Sequence, residues 1–200
     1  GGEGSIGAHI RRIDAGDRSF VALPVFPLRG FSARDIYVHR DGPVRTPADL
    51  AGCRFGMYSW FASGSIWYRD YLRFLGVPME TLRWHIGDIE RRGEVAPGGP
   101  LPDGVTAAPE GRFLAAMLAE REIDALFSPP RPQAYDPVNG PIVRLFPDFR
   151  AAELAYYRDT GIYPPVHLVI VRRAVWEADP WIGRSLTAAF GRAGATFPAA

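Results

Sequence analysis

Residues 161–171 read GIYPPVHLVIV and contain the most apolar run of the chain. The two prolines end the preceding element, and the branched residues at 166–171 predict a buried strand beside His167. Similar short runs alternate with helical patterns elsewhere in the sequence, and they predict further strands at 20–26, 35–39, 54–58, 82–86 and 126–127. Because strands that alternate with helices form sheets with helices packed on them, the chain is predicted to be an α/β protein.

The predicted helices carry start and stop signals. Thr46 precedes Pro47 and Asp49, a capping pattern that predicts a short helix closed by Gly52. A longer helix is predicted at 61–75 because aromatic and aliphatic residues recur there at helical spacing, and further helices are predicted near 113–117, after Asp148 and after Pro180. Residues 87–108 are rich in glycine and proline and are predicted to form a long loop.

The composition excludes several classes of function. All 23 basic residues are arginine, so this chain cannot form a lysine Schiff base or a Walker-type phosphate site. The net charge of +1 makes nucleic-acid binding a poor prediction, and no apolar run of 18 residues predicts membrane insertion. A single cysteine, Cys53, offers no internal disulfide and no metal-ligand cluster. The four histidines lack the spacing of a local metal motif, so no metal ligand is assigned, and a site assembled from distant segments stays open.

The step from strand to helix at 58–65, YSWFASGS, favours an anion contact. Small hydroxyl residues at a helix start leave backbone N–H groups open to a carboxylate, which makes Ser59 and Ser63 candidate ligand contacts. The alternative is that Ser63 or Ser65 only caps the helix.

Two arginines lie just past predicted strands, where α/β sheets place ligand contacts. Arg29 follows the strand at 20–26, and Arg131 lies in the proline-rich loop after 126–127. Guanidinium groups hold carboxylates bidentately, so two of them on one ligand would suit a dicarboxylate. Each of them is otherwise an ordinary surface arginine.

His167 opens the apolar strand directly after Tyr163 and two prolines. It is either a satisfied core side chain or, with access to water or a charged neighbour, a group that exchanges protons near neutral pH.

Segments along nearly the whole chain resemble, in the same order, the 4,5-dihydroxyphthalate decarboxylase family. The densest matches follow Arg144, and the matching pieces include ALPVF at 22–26, PADL at 47–50, IDA at 123–125, RLFPD at 144–148, TGIYP at 160–164, and Pro180-Trp181. The sequence departs from the family pattern at 32–34 and 58–61, where polar contacts are changed.

The resemblance implies a two-lobed, type II periplasmic-binding-protein-like fold with an incomplete first lobe. Lobe I would comprise 1–40 and 167–200, and lobe II would comprise 41–166, with the strands at 35–40 and 166–172 carrying the chain between them. The resemblance also implies that segments of the family are missing ahead of Gly1 and beyond Ala200.

The activity implied by the resemblance is decarboxylation of an aromatic dicarboxylate such as 4,5-dihydroxyphthalate, without an organic cofactor. Arg29 and Arg131 would bind the carboxylates, Ser59, Ser63 and Tyr163 would contact the substrate, and His167 would transfer a proton to the ring. Glu3, in a Glu-x-Ser element, would be the second catalytic residue and would help to ionise the phenol.

The competing interpretation is a solute-binding protein of an ABC transporter for an anionic or aromatic small molecule, because one fold can serve both uses. A relative that binds a thiamine pyrimidine or a sulfonate is a third alternative. The enzyme would be cytoplasmic and the transport protein periplasmic. In each of the first two cases the expected partner is a small molecule. Whether the chain forms a homo-oligomer is left open by the sequence.

Overall fold

The computed structural model describes residues 1–93 and 99–195. The strands, numbered in chain order, are β1 Gly2–Ser5, β2 Phe20–Leu23, β3 Ile36–His39, β4 Arg54–Met57, β5 Arg83–Ile86, β6 Val105–Ala107, β7 Ala125–Phe127, β8 Ile142–Arg144 and β9 His167–Arg172. The α-helices are α1 Ile6–Asp14, α2 Ser63–Phe74, α3 Leu114–Ala119, α4 Phe149–Thr160, α5 Arg173–Ala178 and α6 Trp181–Ala195. The predicted α/β class is confirmed.

The chain divides into two compact units. Unit 1 contains Gly1–Gly30 and the chain from Pro164 onward, and unit 2 is Phe31–Tyr163. The predicted lobe boundaries, after residue 40 and before residue 167, differ from these. The reason is that β3 hydrogen bonds to β7 and β8 and so belongs to the sheet of unit 2.

Unit 1 is built on a three-stranded antiparallel sheet in the order β1-β9-β2. The apolar run predicted to be a buried strand is the central strand β9, which pairs on both sides. Leu23 of β2 and Val169 and Val171 of β9 form the buried core cluster of unit 1, and Trp176 and Leu186 pack against them from α5 and α6. The core of unit 1 is therefore small.

Unit 2 contains a six-stranded mixed sheet in the order β6-β5-β4-β7-β3-β8. Strands β4 to β7 pair in parallel, whereas β3 runs antiparallel to both of its neighbours. Alternate residues of one strand enter different apolar clusters: Ile36 and Val38 lie in one cluster, and Tyr37 lies in the other. Because side chains alternate along a strand, this pattern places a core on each face of the sheet.

Helix ends in unit 2 follow the predicted signals. The Thr46 and Asp49 side chains form a capping box around the 3-10 turn Pro47–Leu50, and the Asp148 side chain accepts a hydrogen bond from the Ala151 N–H at the start of α4. Gly161 ends α4 with a φ of 69°, a left-handed conformation that favours glycine.

Two further observations bear on the predictions from composition. The Cys53 thiol is buried and its Sγ lies 3.1 Å from the Asp49 carbonyl oxygen, and burial raises its pKa to about 11, so it is an unreactive core group. Among the described residues, no helix has the length and apolar content needed to cross a bilayer.

Candidate functional site

Glu3 and His167 form a hydrogen-bonded pair in unit 1. Strand β1 runs antiparallel to β9 with Ser5 opposite His167 and Glu3 opposite Val169. Glu3 and His167 are therefore diagonal neighbours on one face of the sheet, within reach of long side chains. The Glu3 Oε1 lies 2.7 Å from the His167 Nδ1.

The geometry of this pair fixes how the imidazole can act. The contact to Glu3 holds the orientation of the ring through Nδ1 and leaves Nε2 as the imidazole nitrogen available to a ligand. The Glu3 side chain is 47% exposed and the His167 side chain is 34% exposed, so both can be reached from solvent. The pair is thus partly exposed and is not a buried structural contact.

Arg29 lies next to the start of β9 and its neighbour Leu28 pairs with His167 through the backbone. It forms an isolated antiparallel bridge with Pro165, and the preceding carbonyl of Leu28 accepts hydrogen bonds from the N–H groups of Val166 and His167. The exposed Arg29 guanidinium lies 5.2 Å from the centre of the Phe26 ring. The structure therefore brings three of the predicted residues together in unit 1.

The serine-rich segment before α2 is organised differently from a simple cap. The N-cap position of α2 is Ala62, which makes no side-chain cap, so neither Ser63 nor Ser65 occupies the cap position. Ser59 Oγ accepts a hydrogen bond from the Ala62 N–H at 3.3 Å. Ser59 and Ser63 are both buried.

Arg69 ties this segment to α2. Its Nη1 donates to the Trp60 carbonyl at 2.7 Å, and its guanidinium lies 4.0 Å from the centre of the Trp60 ring. Burial lowers the pKa of Arg69 to about 10, with Arg73 acting in the same direction.

The remaining two predicted residues lie elsewhere in unit 2. Arg131 is exposed, with its guanidinium 5.9 Å from the centre of the Tyr135 ring. Tyr163 stacks on Phe31 with ring centres 4.9 Å apart. Of the seven predicted site residues, the structure assigns Glu3, Arg29 and His167 to unit 1, and Ser59, Ser63, Arg131 and Tyr163 to unit 2.

The sequence prediction missed a cavity of about 330 Å³ in unit 2, here called the aromatic cavity. It is lined by Phe31, Arg150, Glu153, Leu154, Tyr157 and Tyr163. Four of these residues share one face of α4, since they follow each other at helical spacing. That spacing, with the apolar Leu154 and Tyr157 among charged neighbours, was the available signal.

A group of charges in unit 2 adjoins this cavity through Glu153. The Arg34 Nε donates to Asp35 Oδ1 at 3.0 Å, and the Arg34 backbone N–H donates to Glu153 Oε1 at 3.1 Å. Burial raises the pKa of Asp35, while Arg34 and Arg144 oppose the shift. Burial also raises the pKa of Glu153, against the hydrogen bond from the Arg34 backbone.

The glycine-rich start of the chain and the arrangement of metal-ligating side chains bear on two other kinds of site. Gly2, Gly4 and Gly7 have the spacing GxGxxG, but the first two glycines lie inside β1, so the segment is not a phosphate-binding loop after a strand. Within residues 1–93 and 99–195, no group of three or more His, Cys, Asp or Glu side chains is placed to hold a metal ion.

Comparison with known proteins supports the resemblance noted in the sequence. No family model matches the chain. The chain is 32% identical over 190 residues to a 4,5-dihydroxyphthalate decarboxylase of Comamonas testosteroni, covering 93% of this chain and 58% of that protein. It is 29% identical over 158 residues to a 4,5-dihydroxyphthalate decarboxylase of Pseudomonas putida, covering 77% of this chain and 61% of that protein.

Among solved structures, the chain is similar to the periplasmic aliphatic sulphonate binding protein SsuA from Escherichia coli. The TM-score is 0.49 at 16% identity, over 96% of this chain and 54% of that one. The predicted resemblance to the 4,5-dihydroxyphthalate decarboxylases is confirmed, and the chain spans about three fifths of the length of those relatives.

Proposed function

We propose that this chain, a relative of the 4,5-dihydroxyphthalate decarboxylases over 93% of its length, is part of an enzyme that removes a carboxylate from an aromatic dicarboxylate. The similarity to the two curated decarboxylases carries the proposal. The hydrogen-bonded, solvent-accessible pair of Glu3 and His167 supports it, because this chemistry needs a positioned proton donor. The substrate proposed is 4,5-dihydroxyphthalate, and the enzyme is proposed to be cytoplasmic.

The proposed reaction is a replacement of carboxylate by a proton on the ring. A hydroxyl para to the leaving carboxylate pushes electrons into the ring, so that the carbon bearing the carboxylate accepts a proton. The bond from that carbon to the carboxylate then breaks, its electron pair returns to the ring, and carbon dioxide leaves. The remaining product is a dihydroxybenzoate. No organic cofactor is required by this sequence of bond changes.

The residues of unit 1 take three roles in the proposal. His167 delivers the proton from Nε2 to the ring carbon, and Glu3 holds the opposite ring nitrogen, Nδ1. The Glu3 carboxylate orients the imidazole through Oε1, and its predicted role in ionising the phenol stays a prediction. Arg29 binds a carboxylate. It lies opposite Pro165, which precedes His167 by two residues. The contacts of Ser59, Ser63, Arg131 and Tyr163 with substrate stay predictions.

The test uses the full-length protein with 4,5-dihydroxyphthalate as the probe. Release of one equivalent of carbon dioxide per substrate, with formation of a dihydroxybenzoate, is the expected result. Tight binding of the probe without carbon dioxide release would overturn the enzyme proposal for this substrate and favour a solute-binding protein. Absence of both binding and release would exclude this dicarboxylate as the ligand.

The role of His167 predicts a specific variant phenotype. His167→Gln keeps a polar side chain of similar size but cannot donate a proton as an imidazolium, so kcat should fall by about 10²–10⁴-fold while substrate Kd stays nearly unchanged. Glu3→Gln should produce a smaller fall in kcat, of about tenfold or more, because the imidazole loses its orienting anion. Steady-state kinetics and calorimetric binding measure the two effects.

A matched control is His85→Gln in β5, where the imidazole contacts Thr106 Oγ1 in unit 2. Its kcat should equal that of the unmodified protein. Turnover that is unchanged in His167→Gln would remove His167 from the mechanism, even if the protein is a decarboxylase.

A further inference from the structure

The aromatic cavity of unit 2 has walls suited to a flat ring. Phe31 and Tyr163 stack with an interplanar angle of 27°, and Tyr157 meets Phe31 edge-on with ring centres 6.4 Å apart. Tyr157 is 46% exposed and Leu154 is 44% exposed. Large apolar side chains that remain exposed side by side mark binding surfaces more often than ordinary surface. The volume of about 330 Å³ lies within the usual range for small-molecule sites.

Two polar side chains that line the cavity, Arg150 and Glu153, would orient a bound ligand. Arg150 and Glu153 are separated by three positions on α4, so both lie on the helix face that lines the cavity. Within the described part of the chain, no carboxylate forms an ion pair with the Arg150 guanidinium. One Glu153 oxygen, Oε1, accepts the Arg34 backbone N–H. A ligand with an anionic group at one end and a hydroxyl donor at the other matches this pair.

We infer that the aromatic cavity binds an aromatic ring that carries both a carboxylate and a phenolic hydroxyl. The ring packs against Tyr157 and the stacked pair of Phe31 and Tyr163, its carboxylate meets Arg150, and its hydroxyl donates to Glu153. The ligand class rests on the proposed function, since the substrate and the product of that reaction both have these groups. The cavity is a binding site here, and no bond-making step is assigned to it.

The test measures binding of three probes to the full-length protein by calorimetry. The probes are 3,4-dihydroxybenzoate, catechol, which lacks the carboxylate, and phthalate, which lacks the hydroxyls. Arg150→Gln should raise the Kd of 3,4-dihydroxybenzoate and of phthalate by about tenfold and leave catechol nearly unchanged. Tyr157→Ala should raise the Kd of all three probes by about tenfold, because every probe loses the same ring contact.

Matched controls lie on α6 of unit 1, outside the cavity. Arg184→Gln removes an exposed guanidinium, and Trp181→Ala removes an aromatic side chain that is 58% exposed. Neither should change any Kd. Leu154→Arg places a long charged side chain in the cavity without removing a buried residue, so it should remove one bound equivalent of each probe from the calorimetric stoichiometry, and leave binding at Arg29 and the thermal unfolding midpoint unchanged.

The outcomes separate this inference from the proposed function. Turnover with Kd values that none of the three cavity variants changes would overturn the inference and leave the function standing. Binding that the variants weaken, without carbon dioxide release from 4,5-dihydroxyphthalate, would support the inference and overturn the function. If Leu154→Arg converts a dimer to a monomer and leaves every Kd unchanged, the cavity is an interface between copies and the inference is wrong.

Discussion

At the scale of single residues, Gly56 in the middle of β4 shows how tightly unit 2 is packed. A Cβ at this position would lie 2.6 Å from Ile123 Cδ1 and 3.2 Å from Leu126 Cδ1. Both neighbours are fully buried, so neither can move away into solvent. The absence of a side chain at Gly56 is therefore a packing requirement of the sheet face that carries Leu126.

The close contacts at Gly56 predict a loss of stability on adding one methyl group. Gly56→Ala should lower the free energy of unfolding by about 1–3 kcal/mol, the usual cost of overpacking a filled core. The matched control is Gly191→Ala in α6, where no atom beyond the neighbouring residues and backbone of its own helix lies within 4 Å of the added Cβ. That change should raise stability by up to about 1 kcal/mol, since alanine is the better helix former. Urea unfolding at equilibrium measures both, and equal effects of the two changes would contradict the prediction.

At the scale of elements, one ion pair joins the start of β4 to the start of β7. Arg54 Nη2 lies 2.7 Å from Asp124 Oδ1, and the Arg54 Nε and backbone N–H both donate to Asp124 Oδ2. Burial raises the pKa of Asp124, but the hydrogen bonds from Arg54 outweigh it, and the net pKa is lower than usual. The carboxylate therefore fixes two neighbouring parallel strands at their ends.

This ion pair predicts a pH-dependent loss of stability in Asp124→Asn. The variant should lose about 1–3 kcal/mol near pH 7, because the Arg54 donors lose a charged acceptor. The pKa of Asp124 is lower in the folded than in the unfolded state, so its contribution is complete above the ordinary value of 3.8 and disappears as the pH falls through the folded value. Unfolding of both proteins across this pH range measures the difference.

The exposed pair of Arg92 and Glu110 provides the control for this experiment. Both side chains are at least 80% exposed, so Glu110→Gln should leave the unfolding midpoint unchanged. A stability difference for Asp124→Asn that persists undiminished below pH 3.8 would contradict the role given to the ionised carboxylate.

The elements also show what the sequence could and could not predict. The helices α2 and α4 and the central strand β9 were predicted because their signals are local: apolar spacing, an Asp148 cap and a run of branched residues. The strands β1, β6 and β8 were not predicted as separate elements. Each has three or four residues, and β1 is half glycine. Such strands depend on partners far along the chain, which propensity alone does not reveal.

The residues of the candidate site were also only partly predictable from the sequence. His167 stood out as a polar residue opening an apolar strand, and Glu3 was found only through the family resemblance. Their hydrogen bond follows from the antiparallel register of β1 on β9, a pairing between opposite ends of the sequence. The aromatic cavity was missed because Phe31 is far from α4 in the sequence and meets it only in the folded chain. The predicted roles of Ser59, Ser63, Arg131 and Tyr163 stay predictions.

At the scale of the whole molecule, the two units have very different cores. Unit 2 buries large side chains on both faces of its sheet, among them Tyr37, Phe55 and Tyr68. Among the described residues of unit 1, the core cluster contains three buried apolar residues, and Leu168 is a fourth buried apolar residue outside it. Because apolar burial supplies most of the free energy that opposes unfolding, the two units should differ in local stability.

Native-state hydrogen exchange should detect this difference. The amides of β9 should exchange about 10–100 times faster than those of β4 and β7, since a smaller core opens at a lower free energy. Both sets of amides belong to strands paired on two sides, so the comparison is matched for secondary structure. Equal protection of β9 and β4 would show that the units unfold together in one cooperative step.

The pairing of β1 with β9 has a consequence for how the polypeptide is made. Ribosomes synthesise the chain from its amino end, so Gly2–Ser5 emerges long before His167–Arg172. Every strand of the six-stranded sheet emerges in the interval between them. During translation β1 therefore remains unpaired until β9 has been synthesised. The hydrogen bond between Glu3 and His167 forms only after the other strands have left the exit tunnel.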